Sequence, residues 1–178
     1  ALAKSLSSAR MEGSWYDPAR DGEGLYLEPQ PDGTVVVTWY TFPAVGEDGE
    51  QLWLIGAGRL QGNGLAADLL QVSGGRFGGQ FDPADVQRNA WGRVTLVFDG
   101  DASATLRYEG PAAYGSGTRT LTRLSRQRRP LVEFSAPPPG PIHVDLAGSF
   151  YDPARSGEGV FLHAVTDAEG IPRPTVLF

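Results

Sequence analysis

The chain contains no cysteine. Disulfides, thiolate zinc sites and cysteine nucleophiles are thereby excluded. Only two histidines occur, His143 and His163, so a nucleophile–base–acid triad has little to draw on. There is no G-x-S-x-G elbow; Gly115-Ser116-Gly117 reads as a loop tripeptide. No apolar run approaches the ~18 residues that a membrane-crossing helix needs, and no membrane insertion is expected. Positive charge is also scarce. Fifteen Lys and Arg stand against 21 Asp and Glu, for a net charge of −6. That balance argues against a nucleic-acid partner, which needs a basic field, and against attraction to anionic membrane surfaces.

Glycine and proline are plentiful, 24 and 14 of 178 residues, which favours many turns over long helices. Four Trp, six Tyr and eight Phe supply apolar surface for a real core. The signals from Gly13 onward are those of strands. Residues 25–28 are apolar and short, and Pro29-Gln30-Pro31-Asp32-Gly33 has turn chemistry. Residues 34–42 are β-branched and aromatic on both faces, and 51–55 follow as a further strand. Residues 65–73 fit strand or helix by period, and their neighbours favour strand. A glycine-dense loop spans 74–79, and Asp82-Pro83 opens a single helical turn. Val94, Leu96 and Phe98 alternate on one face, Asp99-Gly100-Asp101 turns, and Ala104, Leu106 and Tyr108 return, the clearest hairpin in the chain. Residues 118–124 form another strand. Arg119 and Arg123 share a face with Leu121, the pattern of an edge.

These readings predict an all-β fold: an antiparallel up-and-down meander forming a small barrel or barrel-like sandwich of about eight strands. They divide the chain into an N-terminal arm or short helix (1–12), a β module (13–124), an Arg/Pro-rich linker (125–147) and a partial second repeat (148–178).

The repeat is explicit. GSWYDPARDGEG at 13–24 returns as GSFYDPARSGEG at 148–159, and over 13–27 and 148–162 eleven of fifteen positions are identical. Repeated sequence points to a repeated structural unit. The residues Gly13, Tyr16, Arg20, Gly22, Glu23 and Gly24, with Gly148, Tyr151, Asp152, Arg155, Gly157, Glu158 and Gly159, read as architecture. Asp17-Pro18 and Asp152-Pro153 suit turn starts, the glycines suit tight backbone, and Arg20 can pair with Glu23 as Arg155 can with Glu158. The second copy extends 31 residues, about an opening hairpin, which is expected to pack on a β module in its own molecule or a neighbour's because a lone hairpin is barely stable.

The G-x-[WF]-Y-x-P-x-x-x-G-x-G phrase resembles an uncharacterised β-rich repeat module, often in tandem, of exported proteobacterial proteins. Thr38-Trp39-Tyr40, Leu52-Trp53-Leu54-Ile55 and Gly74-Gly75-Arg76-Phe77-Gly78 match the segments that follow the phrase there. The resemblance implies a β fold and export to the periplasm, cell surface or exterior; it implies no activity. Ala1-Leu2-Ala3 also fits the small-x-small pattern of a signal cleavage site. A weaker likeness is to the avidins, which also open with G-x-W-Y. The ligand-contacting Asn that follows W-Y there is Asp17 here, so the likeness stops short of the biotin contacts.

Candidate chemistry is sparse. Asp17 with Glu23, or Asp152 with Glu158, is the only arrangement suggesting paired-carboxylate work, and turn or cap roles explain these residues more simply. Asp99 and Asp101 lack an EF-hand spacing, so no metal and no cofactor is expected. Arg119, Arg123, Arg126, Arg128 and Arg129 form the only basic cluster; contact with phosphate or acidic glycans is one reading of it, and a solvated linker or protease-sensitive spot is the simpler one. Aromatic residues are the remaining resource, and Trp15, Asp17, Tyr40, Trp53 and Trp91 are the candidate ligand contacts. The expected function is a non-enzymatic binding module for a glycan, peptide or small molecule. The alternative is a structural protein that donates its C-terminal hairpin to another copy of itself.

Overall fold

The computed structural model describes residues 11–47, 49, 51–124, 148–155, 159–166 and 172–177. The chain falls into two units, Ala1–Gly74 with Val86–Ser125, and Gly75–Asp85 with Arg126–Phe178.

The first unit is a closed eight-stranded antiparallel barrel of up-and-down topology. Its strands are β1 (Gly13–Tyr16), β2 (Gly24–Pro29), β3 (Thr34–Thr41), β4 (Leu52–Gln61), β5 (Gly64–Ser73), β6 (Gln87–Phe98), β7 (Ser103–Glu109) and β8 (Ser116–Arg123). Each pairs with its predecessor, and β8 pairs with β1 through Trp15↔Arg123 and Tyr16↔Thr122. That closure corrects the expectation of an edge at β8. An arginine-bearing face marks an edge only where that face meets water. Here Arg119 and Arg123 lie on the lumen face with Leu121, near the two ends of the barrel.

The period-2 alternation fills the lumen. Leu25, Leu27, Val35, Val37, Trp39, Leu54, Leu65, Leu69, Val94, Leu96, Phe98, Ala104, Leu106 and Leu121 are all buried in one cluster. The hairpin signal at 93–108 thus pointed its apolar face inward. Small residues make room for large ones on facing strands. A Cβ on Gly56 or Gly58 would come within 2.1 or 2.0 Å of the carbonyl oxygens of Asp68 or Ala66. β4 and β5 therefore close on each other there, and Leu65 and Leu69 occupy the space. β4 runs on to Gln61, well past the Ile55 end expected from sequence, because the glycines interrupt the apolar pattern without interrupting the ladder. The 82–86 turn is a 3-10 turn at Pro83–Asp85, with the Asp82 carboxylate accepting the Ala84 N–H at 2.8 Å.

One barrel end is closed by side chains. Trp15 stands edge-on to Phe98, with ring centroids 5.4 Å apart, and its indole N–H donates to the Met11 carbonyl at 2.8 Å. Arg123 lies 5.4 Å from the Trp15 ring and donates to the Glu12 and Asp101 carbonyls. The connections that follow β1, β3 and β7 leave the opposite end.

The second unit holds a three-stranded antiparallel sheet, β9 (Gly148–Phe150), β10 (Val160–Thr166) and β11 (Pro172–Leu177), in the order β11-β10-β9. β9 and β10 pair Gly148 with Leu162 and Phe150 with Val160, the register that β1 and β2 show at Gly13↔Leu27 and Trp15↔Leu25. The loops agree as well. Asp17 and Asp152 each accept the N–H two residues on, at 3.0 and 2.9 Å, and each offers its carbonyl to the arginine three residues on. Arg155 donates to the Gly78 carbonyl at 2.9 Å and lies 4.7 Å from the Phe81 ring, both in the same unit. Residues 1–10 of the expected 1–12 arm, the linker at 125–147, and Gly157 and Glu158 of the phrase lie outside the described residues.

Candidate functional site at the loop-bearing mouth

Glu23 is the next-to-last residue of the repeated phrase, directly before β2 begins at Gly24. The positive φ of Gly22, +84°, turns the chain there, and a Cβ at that residue would meet the Phe42 ring at 2.9 Å. The turn brings the Glu23 side chain, 5 % exposed, over the barrel mouth. Three residues converge on it. Thr41, at the end of β3, donates from its hydroxyl to Oε2 at 2.8 Å. Arg20 reaches Oε1 through Nε at 2.8 Å and Nη2 at 2.7 Å. Arg119, from β8 beside β1, donates from Nη1 to Oε2 at 2.5 Å. Arg119 is 15 % exposed at its side chain, so this ion pair is largely screened from water.

The electrostatics follow from that geometry. Burial alone would raise the Glu23 pKa. The hydrogen bonds from Arg119, Thr41 and Arg20, with the Arg119 charge, outweigh it and hold the carboxyl below its ordinary value. Glu23 is thus an ionised, fully engaged acceptor and a poor proton donor at neutral pH. Two arginines against one carboxylate leave the cluster with one positive charge in excess.

Aromatic rings wall the cluster. The Arg119 guanidinium carbon lies 5.2 Å from the ring centroids of both Trp39 and Tyr108. Trp39 meets Tyr108 and Trp91 edge-on at 5.6 and 5.3 Å, and Trp91 meets Tyr114 at 5.6 Å. Gly117, facing Tyr108 across β7 and β8, lets that ring lie against the wall; a Cβ there would come 2.5 Å from the phenol oxygen. Two polar features of this assembly lack partners among the described residues. The Nε and Nη2 donors of Arg119 make no hydrogen bond, and the Trp91 indole N–H is buried without an acceptor.

Of the five candidate ligand contacts, only Trp91 lies in this cluster. Trp15 is buried in the closed end, and Asp17 caps the turn at 17–20. Tyr40 and Trp53 are cross-strand neighbours on the outer wall, and burial raises the Tyr40 pKa to about 12. Glu23 and Arg20, read as architecture, pair as expected. Trp39, Thr41, Tyr108 and Tyr114 are not among the candidate contacts, and Arg119 enters the sequence reading only as an edge arginine and a member of the basic cluster. The signal for Arg119 was present in its alternation with Leu121, and only barrel closure reveals which way that face points.

Among the described residues no group of three or more His, Asp or Glu side chains is arranged to hold a metal ion. No helix there is long and apolar enough to cross a membrane. Comparison of the chain with protein-family models and with curated proteins gives no match.

Proposed function

We propose that the barrel is a non-enzymatic binding module of an exported bacterial protein, and that its ligand enters the loop-bearing mouth. The observation that carries this reading is Arg119: a guanidinium inside an aromatic-walled barrel end, fixed by Glu23, with donors that the described residues leave unused. Eight-stranded barrels are wide enough either to fill with side chains or to hold one small ligand. Here the end at Trp15, Phe98 and Met11 is filled. The polar, arginine-bearing end has the convergent donors and aromatic walls by which ligand sites fix orientation. Export rests on the resemblance of the repeated phrase. The test is a glycan and small-ligand screen of the full chain, with tryptophan indole N–H signals as the readout. The expected result is a ligand that shifts Trp39 and Trp91 and leaves Trp15 and Trp53 unmoved. Ligands that shift only Trp53, or none that shift any indole, would refute it.

A second reading, self-association, is favoured by the three-stranded sheet. β9 repeats the register of β1, yet among the described residues it has no counterpart of β8 beside it, and Phe150 and Tyr151 are 45 % and 68 % exposed. Such an edge can accept another strand. Light scattering on the full chain across concentration tests this, and a strictly monomeric particle would exclude it.

A further inference from the structure

Resting on the mouth-binding reading, we infer that the ligand carries a carboxylate, held by the Nε–Nη2 edge of Arg119. A guanidinium presents its donors along its edges in one plane, as a fork that matches two carboxylate oxygens. In this site one donor, Nη1, is committed to Glu23. The rings of Trp39 and Tyr108 lean on the guanidinium. The Nε–Nη2 edge is what remains, and it is fixed in direction by those three contacts. Preorganisation of this kind reduces the ordering cost of binding.

Charge selects among acceptors. A neutral amide or hydroxyl can take one donor of the fork. A carboxylate takes both and also offsets the excess positive charge left by Arg20, Arg119 and Glu23. The walls add a requirement on the rest of the ligand. Trp39, Trp91, Tyr108 and Tyr114 favour a flat or ring-shaped body behind the acid. Acidic sugars and aromatic acids both satisfy this description, and the shared chemistry is a ring bearing a carboxylate.

The experiment titrates the full chain with two matched pairs, glucuronate against glucose and benzoate against benzamide. It follows the Arg Nε–H and Trp indole N–H signals by heteronuclear NMR. The expected result is that at least one acid shifts the Arg119, Trp39 and Trp91 signals and binds tighter than its neutral partner by about tenfold or more. Which acid binds distinguishes a sugar from an aromatic source. Arg119→Lys keeps the charge and removes the fork, and is expected to reduce that difference to about threefold or less. The comparison of acid with neutral partner on the native chain needs no variant. Equal binding of an acid and its neutral partner at the mouth would overturn the carboxylate assignment and leave the mouth as a binding site. Silence of the mouth signals to all four probes would overturn the assignment, and silence in the wider screen as well would overturn the mouth reading with it.

Discussion

Replacing Arg119 with methionine removes the cation that reaches Glu23 from β8. The Glu23 side chain is 5 % exposed, so its charge is not rehydrated when the partner goes. Breaking a buried pair from one side costs about 3–5 kcal/mol. Arg20 and Thr41 still hold the carboxylate, which places the expected loss at the low end, about 3 kcal/mol. Glu23→Gln leaves Arg119 with its ring contacts and slight exposure, for about 2 kcal/mol. The double variant removes the charge problem together with the pair and is expected to lose no more than the worse single change. The coupling is then about 2 kcal/mol. The assay is urea unfolding followed by tryptophan fluorescence, with m-values checked for constancy. The pH dependence supplies a second readout. The Glu23 pKa in the folded protein lies below its ordinary 4.5. Its stabilising contribution is complete above pH 4.5 and is lost as pH falls through the lower folded value. Wild type should therefore lose stability over that acid range relative to Glu23→Gln. Single-variant losses under about 1 kcal/mol with no coupling would refute the reasoning, because they would make this a solvated surface pair.

Three further outcomes are expected. Thr38 is fully buried on β3 and its hydroxyl has no hydrogen-bond partner among the described residues, so Thr38→Val should stabilise the barrel by about 1 kcal/mol in the same unfolding assay. Gly56→Ala places a Cβ against the Asp68 carbonyl and must part β4 from β5, at about 2–3 kcal/mol; calorimetry should show the fall in Tm. In alkaline titration of tyrosinate absorbance, the difference between the native chain and Tyr40→Phe should fall near pH 12; a difference at the ordinary value would mean that the outer wall beside Trp53 is wet.

Where one strand face is apolar and the other polar, the sequence was readable. Ser103–Tyr108 alternates cleanly, and its apolar face is the lumen face. Thr34–Thr41 was harder, since Val35, Val37 and Trp39 point inward while Val36 and Tyr40 point outward with nearly the same apolar character. That ambiguity put Tyr40 and Trp53, rather than Trp39, among the candidate contacts. Closure was beyond local pattern. The pairing of β1 with β8 joins residues about a hundred positions apart, and no turn signal connects them. Without closure, Arg119 looks like a solvated edge arginine and Glu23 like a loop carboxylate. The site exists only because the two ends of the meander meet.

That meeting is also the barrel's shortest seam. β5 and β6 pair along ten residues on each strand, whereas β1 and β8 share two pairs and the Leu124 N–H bond to the Ser14 carbonyl. A hoop parts first at its clasp, and the clasp here carries Arg123 and Trp15 at its end. The amides of 14–16 and 122–124 should be the first of the wall to exchange with solvent, through openings that leave the other seven seams intact. Such an opening would loosen the grip of β8 on Arg119, so the lifetime of the clasp sets how long the mouth keeps its shape.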